Sequence, residues 1–369
     1  MLVTRVVSPV SSRESWTVLG DDDAPVAPIE RYLRYLTDIE RSPNTIKAYA
    51  HDLKDWFTFL AGRGPDWTAV RLEDVGAFVS WLRLPMALRQ SGIVMLPTVE
   101  HHCGEATVNR KLSALAAFYT YAARDGVAVG ELLTIWQVGG PRGGWKPFLH
   151  HVSKQMPRPR RMVTLKVAKK LPRVLTPVEV QAVLDSCDRL RDRFLLAVLY
   201  DTGMRVGEAL GLRHSDIAAA EREIIVRRRH NDNGARAKSV SSRTVPVSPE
   251  LIRLYADYLH DEYGDLDSDY VFVNLWGRPH GHPWTYAAVY DLVRRLRRRT
   301  GIDFDPHWLR HTAATRMLRD GIGLEVVAKL LGHANVTTTA AIYGHLTVED
   351  ARKVLQQAGW FDGPGQVLL

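Results

Sequence analysis

Between Glu131 and Glu179 the chain has no acidic residue, while Arg142, Lys146, Lys154, Arg158, Arg160, Arg161, Lys166, Lys169, Lys170 and Arg173 all fall inside. The same interval is broken by Gly139-Gly140, Gly143-Gly144, Pro157 and Pro159. Charge of one sign repels itself, and glycines and prolines interrupt any periodic element, so residues 131–172 read as an extended basic linker. A chain divided in this way has to build a separate core on each side. With 369 residues, 46% of them hydrophobic, it has the length and the apolar material for two.

On the first side, residues 1–26 mix polar residues with the cluster Asp21-Asp22-Asp23 and read as a loose tail. From there to residue 130 the pattern is helical. Ser42 suits an N-cap with Pro43 at the first helical position, and Ile46, Tyr49, Leu53, Phe57 and Leu60 then form one apolar stripe. A further helix is expected over Leu72–Leu84, and another from Thr107 with Val108, Leu112, Leu115 and Phe118 inward. Lys47, Asn109, Arg110 and Lys111 are then expected to point outward, where they form either a solvated face or a set of phosphate contacts.

The second side, residues 173–369, mixes helices with one small hairpin. RFLLAVLYDTG reads as a buried helix ending at Gly203, and Arg205 opens the next. An Arg there adds to the positive end of a helix dipole, which is unfavourable for folding and favourable for an anion. EIIVRRR and SSRTVPVS read as two strands around a polar turn, with Lys238 near the tip of the returning arm and Arg227, Arg228 and Arg229 on the first. A second basic run, RRLRRR, covers 294–299 on a helix. In DPHWLRHTAAT, His307 and Arg310 are about one helical turn apart and can address one spot. LEVVAKLLGH follows, with Val326, Val327, Leu330 and Leu331 apolar and His333 just past a glycine stop; Tyr343 stands ten residues later. Taken singly, each has an ordinary explanation, because a Tyr in an apolar helix is usually core and HxxR is common. As a set they suit phosphoryl transfer: Arg grips phosphate oxygens, imidazoles donate or move protons, and a tyrosine can act as a covalent nucleophile.

TGMRVGEALGL, KSVSSRTVPV, HWLRHTAAT and LLGHANVTTTAAIYGH, in this order, resemble the tyrosine recombinase, or phage integrase, family. The resemblance implies an α+β fold, mainly α with a small sheet in the catalytic domain, preceded by a helical SAM-like core-binding domain over 27–130. It places catalytic roles on Arg205, Lys238, His307, Arg310, His333 and the nucleophile Tyr343, with Glu208 supporting the site. It also implies double-stranded DNA as partner, a tetramer on synapsed DNA, and accessory or directionality proteins in some systems. In the implied reaction Tyr343 forms a 3'-phosphotyrosyl link, two arginines and a histidine hold the phosphate, and Lys238 protonates the leaving 5' oxygen. Neither metal nor other cofactor is needed. A type IB topoisomerase uses nearly the same chemistry, and a DNA-binding regulator could keep the fold without the reaction. A metal-dependent nuclease would want clustered carboxylates, which do not accompany these motifs.

The formal charge of +8 agrees with a polyanionic partner. The basic linker is expected to lie along the DNA backbone, letting the two domains close around the duplex. Phosphate contacts of that kind, with Arg158, Arg160, Arg161, Lys169 and Lys170 among them, predict salt-sensitive binding. Cys103 and Cys187 form no metal or disulfide framework, and no apolar run is long enough to span a membrane. A cytoplasmic, nucleoid-associated protein is the expectation.

Overall fold

The computed structural model describes residues 1–7, 14–89, 101–127, 134–137, 158–161, 163–167, 173–237 and 242–333. The chain divides into two compact units, Met1–Lys169 and Lys170–Leu369.

The first unit begins with a correction. Residues 1–26, expected as a loose tail, contain β1 (Leu2–Val7) and β2 (Glu14–Leu19), paired antiparallel from Leu2 opposite Leu19 to Val7 opposite Glu14. The missed signal is the β-rich alternation in ESWTVL, which buries Val18 in the helical core, while Thr17 Oγ1 donates to Glu30 Oε2 at 2.6 Å. Four helices follow: α1 (Ala27–Asp38), α2 (Pro43–Ala61), α3 (Leu72–Arg83) and α4 (Glu105–Ala122). As read from the sequence, Ser42 caps α2 by accepting from the Thr45 amide at 3.2 Å, with Pro43 at the first position. The expected stripe lies inward, Tyr49 alone being half-exposed. At the centre Trp56 is fully buried; its Nε1 donates to the Tyr119 hydroxyl (3.0 Å), which donates in turn to the Trp67 carbonyl (2.9 Å). A buried indole N–H is costly unless bonded, and this relay bonds it.

Part of the expected linker belongs to this unit. β3 (Thr134–Gln137) pairs antiparallel with β4 (Arg158–Arg161), and Val163 and Leu165 pack against the helical core. The Asn109 side chain fixes that segment, donating to Leu165 O (2.8 Å) and accepting from Leu165 N (2.9 Å).

The second unit is built around α6 (Leu190–Thr202), whose Phe194, Leu195, Leu196, Val198 and Leu199 are all buried. Preceding it is α5 (Pro177–Asp185), started by a reciprocal Thr176–Glu179 capping box. The one-turn helix α7 (Val206–Ala209) leads to a sheet of order β5-β6-β7: Ile217–Ala218, Glu223–Val226 and Arg243–Pro246. Then come α8 (Pro249–Tyr258), α9 (Tyr286–Thr300), α10 (Pro306–Arg319) and α11 (Leu324–Leu331). Two junctions position the site. Gly203 ends α6 in the left-handed conformation, and a Cβ there would lie 2.7 Å from Leu331 Cδ2 and 3.2 Å from Ala313 Cβ. Gly332 ends α11 in the same way, with Arg243 so close that a Cβ would meet its Cζ at 2.9 Å. On α11, Val327 and Leu331 are buried as expected, but Val326 is 51% exposed: it follows one residue too early for the inward face. The fold is mainly helical with small antiparallel sheets, as the sequence implied.

Candidate active site

Arg205 stands at the N-cap of α7. Its backbone amide donates to Glu208 Oε2 (2.9 Å) and its Nη1 to Glu208 Oε1 (3.1 Å). Glu208, expected to be a support residue, is buried and also accepts two bonds from Arg243, Nη1 to Oε1 at 3.2 Å and Nη2 to Oε2 at 2.7 Å. Burial alone would push this carboxyl up. The hydrogen bonds and charge of Arg243, with those of Arg205, outweigh it and hold Glu208 below the ordinary glutamate value. Arg243 then reaches α11, where its Nε donates to Leu330 O at 2.7 Å. One carboxylate thus ties the start of α7, the strand β7 and the end of α11 together.

Arg310 is also buried. Its Nη1 donates to Gly203 O (2.7 Å), and its Nη2 to Leu331 O (2.8 Å) and to His333 Nε2 (2.8 Å). Because guanidinium can only donate, Nε2 of His333 must be the bare nitrogen, and the ring is neutral with its proton on Nδ1. The electrostatics agree: burial and the charges of Arg310, Arg205 and Arg243 push His333 down to about 4, with Glu208 opposing. His307, on the first turn of α10, is exposed, and its ring meets His311 edge-on with centroids 4.6 Å apart. Burial, with the charges of His307 and Arg310, pushes His311 down to about 4.

The structure thus links Arg205, Glu208, Arg310 and His333 through bonded groups and places His307 on the exposed end of α10. Lys238 and Tyr343 lie outside the described residues. Sequence reasoning missed Arg243 and His311. His311 was open to detection, since it directly follows Arg310. Arg243, within SSRTVPVS, was not, because a cation on a strand gives no sign that it will be buried.

The candidate DNA contacts fare unevenly. Lys111 is buried and corrects the outward assignment: three residues after Val108 and four before Leu115, it lies on the inward stripe of α4. Its Nζ is neutralised by Asp55 Oδ2 (2.7 Å) and Asp52 Oδ1 (3.1 Å). Asn109 is likewise committed to Leu165, whereas Arg110 pairs with Asp52 but stays half-exposed. Lys47 lies over the Trp16 ring at 4.5 Å. Arg227 and Arg229 close on Asp216, leaving Arg228 exposed and outside any ion pair among the described residues. The run at 294–299 is also mostly compensated: Arg294, Arg295, Arg297 and Arg299 pair with Asp291, Asp192, Asp303 and Asp188. Arg158, Arg160 and Arg161 lie on β4, and Lys169 and Lys170 lie outside the described residues. No group of metal-ligating side chains occurs among the described residues, and none of their helices is long and apolar enough to cross a membrane.

Comparison with known proteins places this geometry. The Phage integrase family pattern matches residues 173–350, and that of the Phage integrase, N-terminal SAM-like domain matches 29–126. Transposase A from transposon Tn554 of Staphylococcus aureus is 39% identical over 330 residues, 89% of this chain and 89% of the relative. Tyrosine recombinase XerC of Staphylococcus saprophyticus is 29% identical over 339 residues, 89% of this chain and 96% of the relative. Among solved structures, the Tn1549 transposon integrase in complex with transposon right end DNA aligns with a TM-score of 0.59 at 18% identity, over 90% of this chain and 99% of that one. A lambda integrase dimer bound to a core site aligns at 0.56 and 15% identity, over 86% of this chain and 94% of that one. At these identities the two structures speak for the fold, whereas the Tn554 relative carries the kinship along the sequence. The chain belongs to the phage integrase family, the tyrosine recombinases.

Proposed function

We propose that this protein is a site-specific DNA strand transferase that moves or resolves a DNA element through a covalent tyrosine intermediate. The Tyr343 hydroxyl attacks the scissile phosphorus, a P–O bond to Tyr343 forms, and the bond to the 5' oxygen breaks. The tyrosine proton passes toward His307, and Lys238 supplies a proton to the departing 5' oxygen. A second 5'-hydroxyl reverses the step on another strand, so the phosphodiester energy is conserved. Arg205 and Arg310, with His333, hold the non-bridging oxygens and offset the charge that builds in the transition state.

The observation that carries this reading is the convergence of Arg205, Arg310 and His333, drawn from separate elements, on the junction of α6, α10 and α11, where Arg310 donates to Gly203 O and to His333 Nε2. Arginines and an imidazole brought to one spot are the side chains that grip phosphate oxygens and donate to them. The likeness to a transposase supports transposition as the setting, with DNA as partner and synapsis of subunits as a tetramer.

Covalent capture tests the reading. The protein and Tyr343→Phe would be incubated with nicked duplexes from its own genomic surroundings, denatured and resolved on a gel. A protein–DNA adduct at a 3' end, absent from the variant, is expected. Strong, salt-sensitive binding to a mapped site without any adduct would instead assign the protein as a DNA-binding regulator.

A further inference from the structure

In the first unit, α1, the start of α2 and the end of α4 enclose a cleft of about 640 Å³, within the roughly 300–1,000 Å³ typical of small-ligand sites. Its wall is unusually rich in phenols. Tyr35 and Tyr121 stack with centroids 4.9 Å apart and planes 29° apart, Tyr32 lies 5.2 Å from Tyr121, and Tyr49 lies 5.9 Å from Tyr32. Tyr32 is buried and packs edge-on against Phe118, so its part is structural. Tyr35 and Tyr121 are half-exposed and keep ring surface open to the cleft. Arg41 and Arg124 stand exposed at its rim, and neither is in an ion pair among the described residues. Glu40 is the acidic residue of the lining.

Core packing explains a tyrosine stripe but neither an open cleft of this size nor two exposed arginines beside it that form no ion pair among the described residues. A flat aromatic surface next to guanidinium groups is complementary to a ligand that joins a flat π-system to an anion. In nucleic-acid binders, aromatic rings stack on unpaired bases while cations follow the backbone. Duplex DNA keeps its bases stacked inside, so such a cleft takes a base only when it is unpaired. Strand exchange supplies one, because the bases between the two cleavage points must leave one partner before joining the next.

We propose that this cleft holds one unpaired DNA nucleotide, its base on the Tyr35–Tyr121 pair and its phosphates near Arg41 and Arg124. The proposal rests on the reading above that the protein acts on DNA. Full-length protein would be titrated with fluorescein-labelled oligothymidylate and with a blunt duplex of equal length, read by anisotropy, while covalent capture through Tyr343 is followed on the nicked duplex. Tyr35→Leu/Tyr121→Leu is expected to weaken oligothymidylate binding by about tenfold or more, as loss of a base stack does, with duplex affinity and capture retained. Tyr35→Phe/Tyr121→Phe keeps the rings and should keep the affinity, and a thermal melt shows that both variants fold. The proposal is overturned if oligothymidylate does not bind, if the leucine variant binds it as tightly as the parent, or if single-strand and duplex affinity fall together. Loss of capture by the parent protein would sink the functional reading instead, and it is scored separately.

Discussion

Asp52 and Glu208 are both buried carboxylates held by two cations, one in each unit, yet their acidities move in opposite directions. Burial dominates at Asp52 and raises its pKa despite Lys111 and Arg110. At Glu208 the donors prevail and lower it. Geometry explains the contrast. Lys111 divides itself between Asp52 and Asp55, and Arg110, though paired with Asp52, is half-exposed and screened by solvent. Glu208 instead receives both prongs of a buried guanidinium, with a backbone amide and Nη1 from Arg205. The first cluster balances its charges and joins two helices. Among the described residues the second sets two guanidinium groups against one carboxylate, an imbalance of the kind an anion-binding site would use.

Removing the carboxylate tests that difference most severely. Glu208→Ala leaves Arg243 buried without a counter-ion and should cost about 3–5 kcal/mol of stability, together with strand cleavage, because Arg205 loses its anchor. Denaturant melts with covalent capture would measure both, and a variant that stays stable and active would show that Glu208 is dispensable. Lys111→Met should cost less, about 1.5–3 kcal/mol for the lost charged hydrogen bonds, because Arg110 still pairs with Asp52, and should leave the chemistry of the second unit unchanged. A loss of cleavage in a fully folded Lys111→Met would mean that the first cluster is functional after all.

Acid should separate the units. His333 and His311 fall from the ordinary histidine value of 6.5 to about 4 in the fold. Between those values the unfolded chain binds more protons, so the second unit loses stability as pH falls from 6.5 toward 4, and the lowered Glu208 adds to this loss further down. The raised Asp52 works in the opposite sense: the folded first unit takes up its proton more readily than the unfolded chain, which favours folding as pH falls toward the carboxylate range. Hydrogen exchange followed by region should show the second unit loosening first on acidification, less steeply in His333→Gln. Equal loosening of both units would remove the contrast. The smallest effect belongs to Arg228→Gln, which should lower the salt dependence of duplex binding by about one counter-ion. The same change at Arg227 or Arg229, already held by Asp216, should do less.

The sequence made much of this legible where spacing forces geometry. His307 and Arg310 share one helix end, Arg205 opens another, and Ser42 caps a third. It failed where charge is settled by partners distant in the chain. Asp52 lies fifty-nine residues before Lys111, and Asp192 lies far from Arg295, so neither the buried lysine nor the neutralised run at 294–299 was readable from its own neighbourhood. Arg243 was hidden in the same way, because its carboxylate is thirty-five residues upstream. The hairpin at Leu2–Leu19 was missed because polar and acidic residues around it masked a short alternating strand.

Gly203 and Gly332 leave no slack where α6, α10 and α11 meet. His333 follows Gly332 directly, so its ring inherits its position from the seating of Leu331, whose methyl group occupies the space a side chain at 203 would need. An alanine at either glycine, neither of which carries a reacting group, would therefore shift Arg310 and His333 beside it, much as a shim under one leg shifts the aim of an instrument. At this junction the room left between the helices is smaller than a single methyl group.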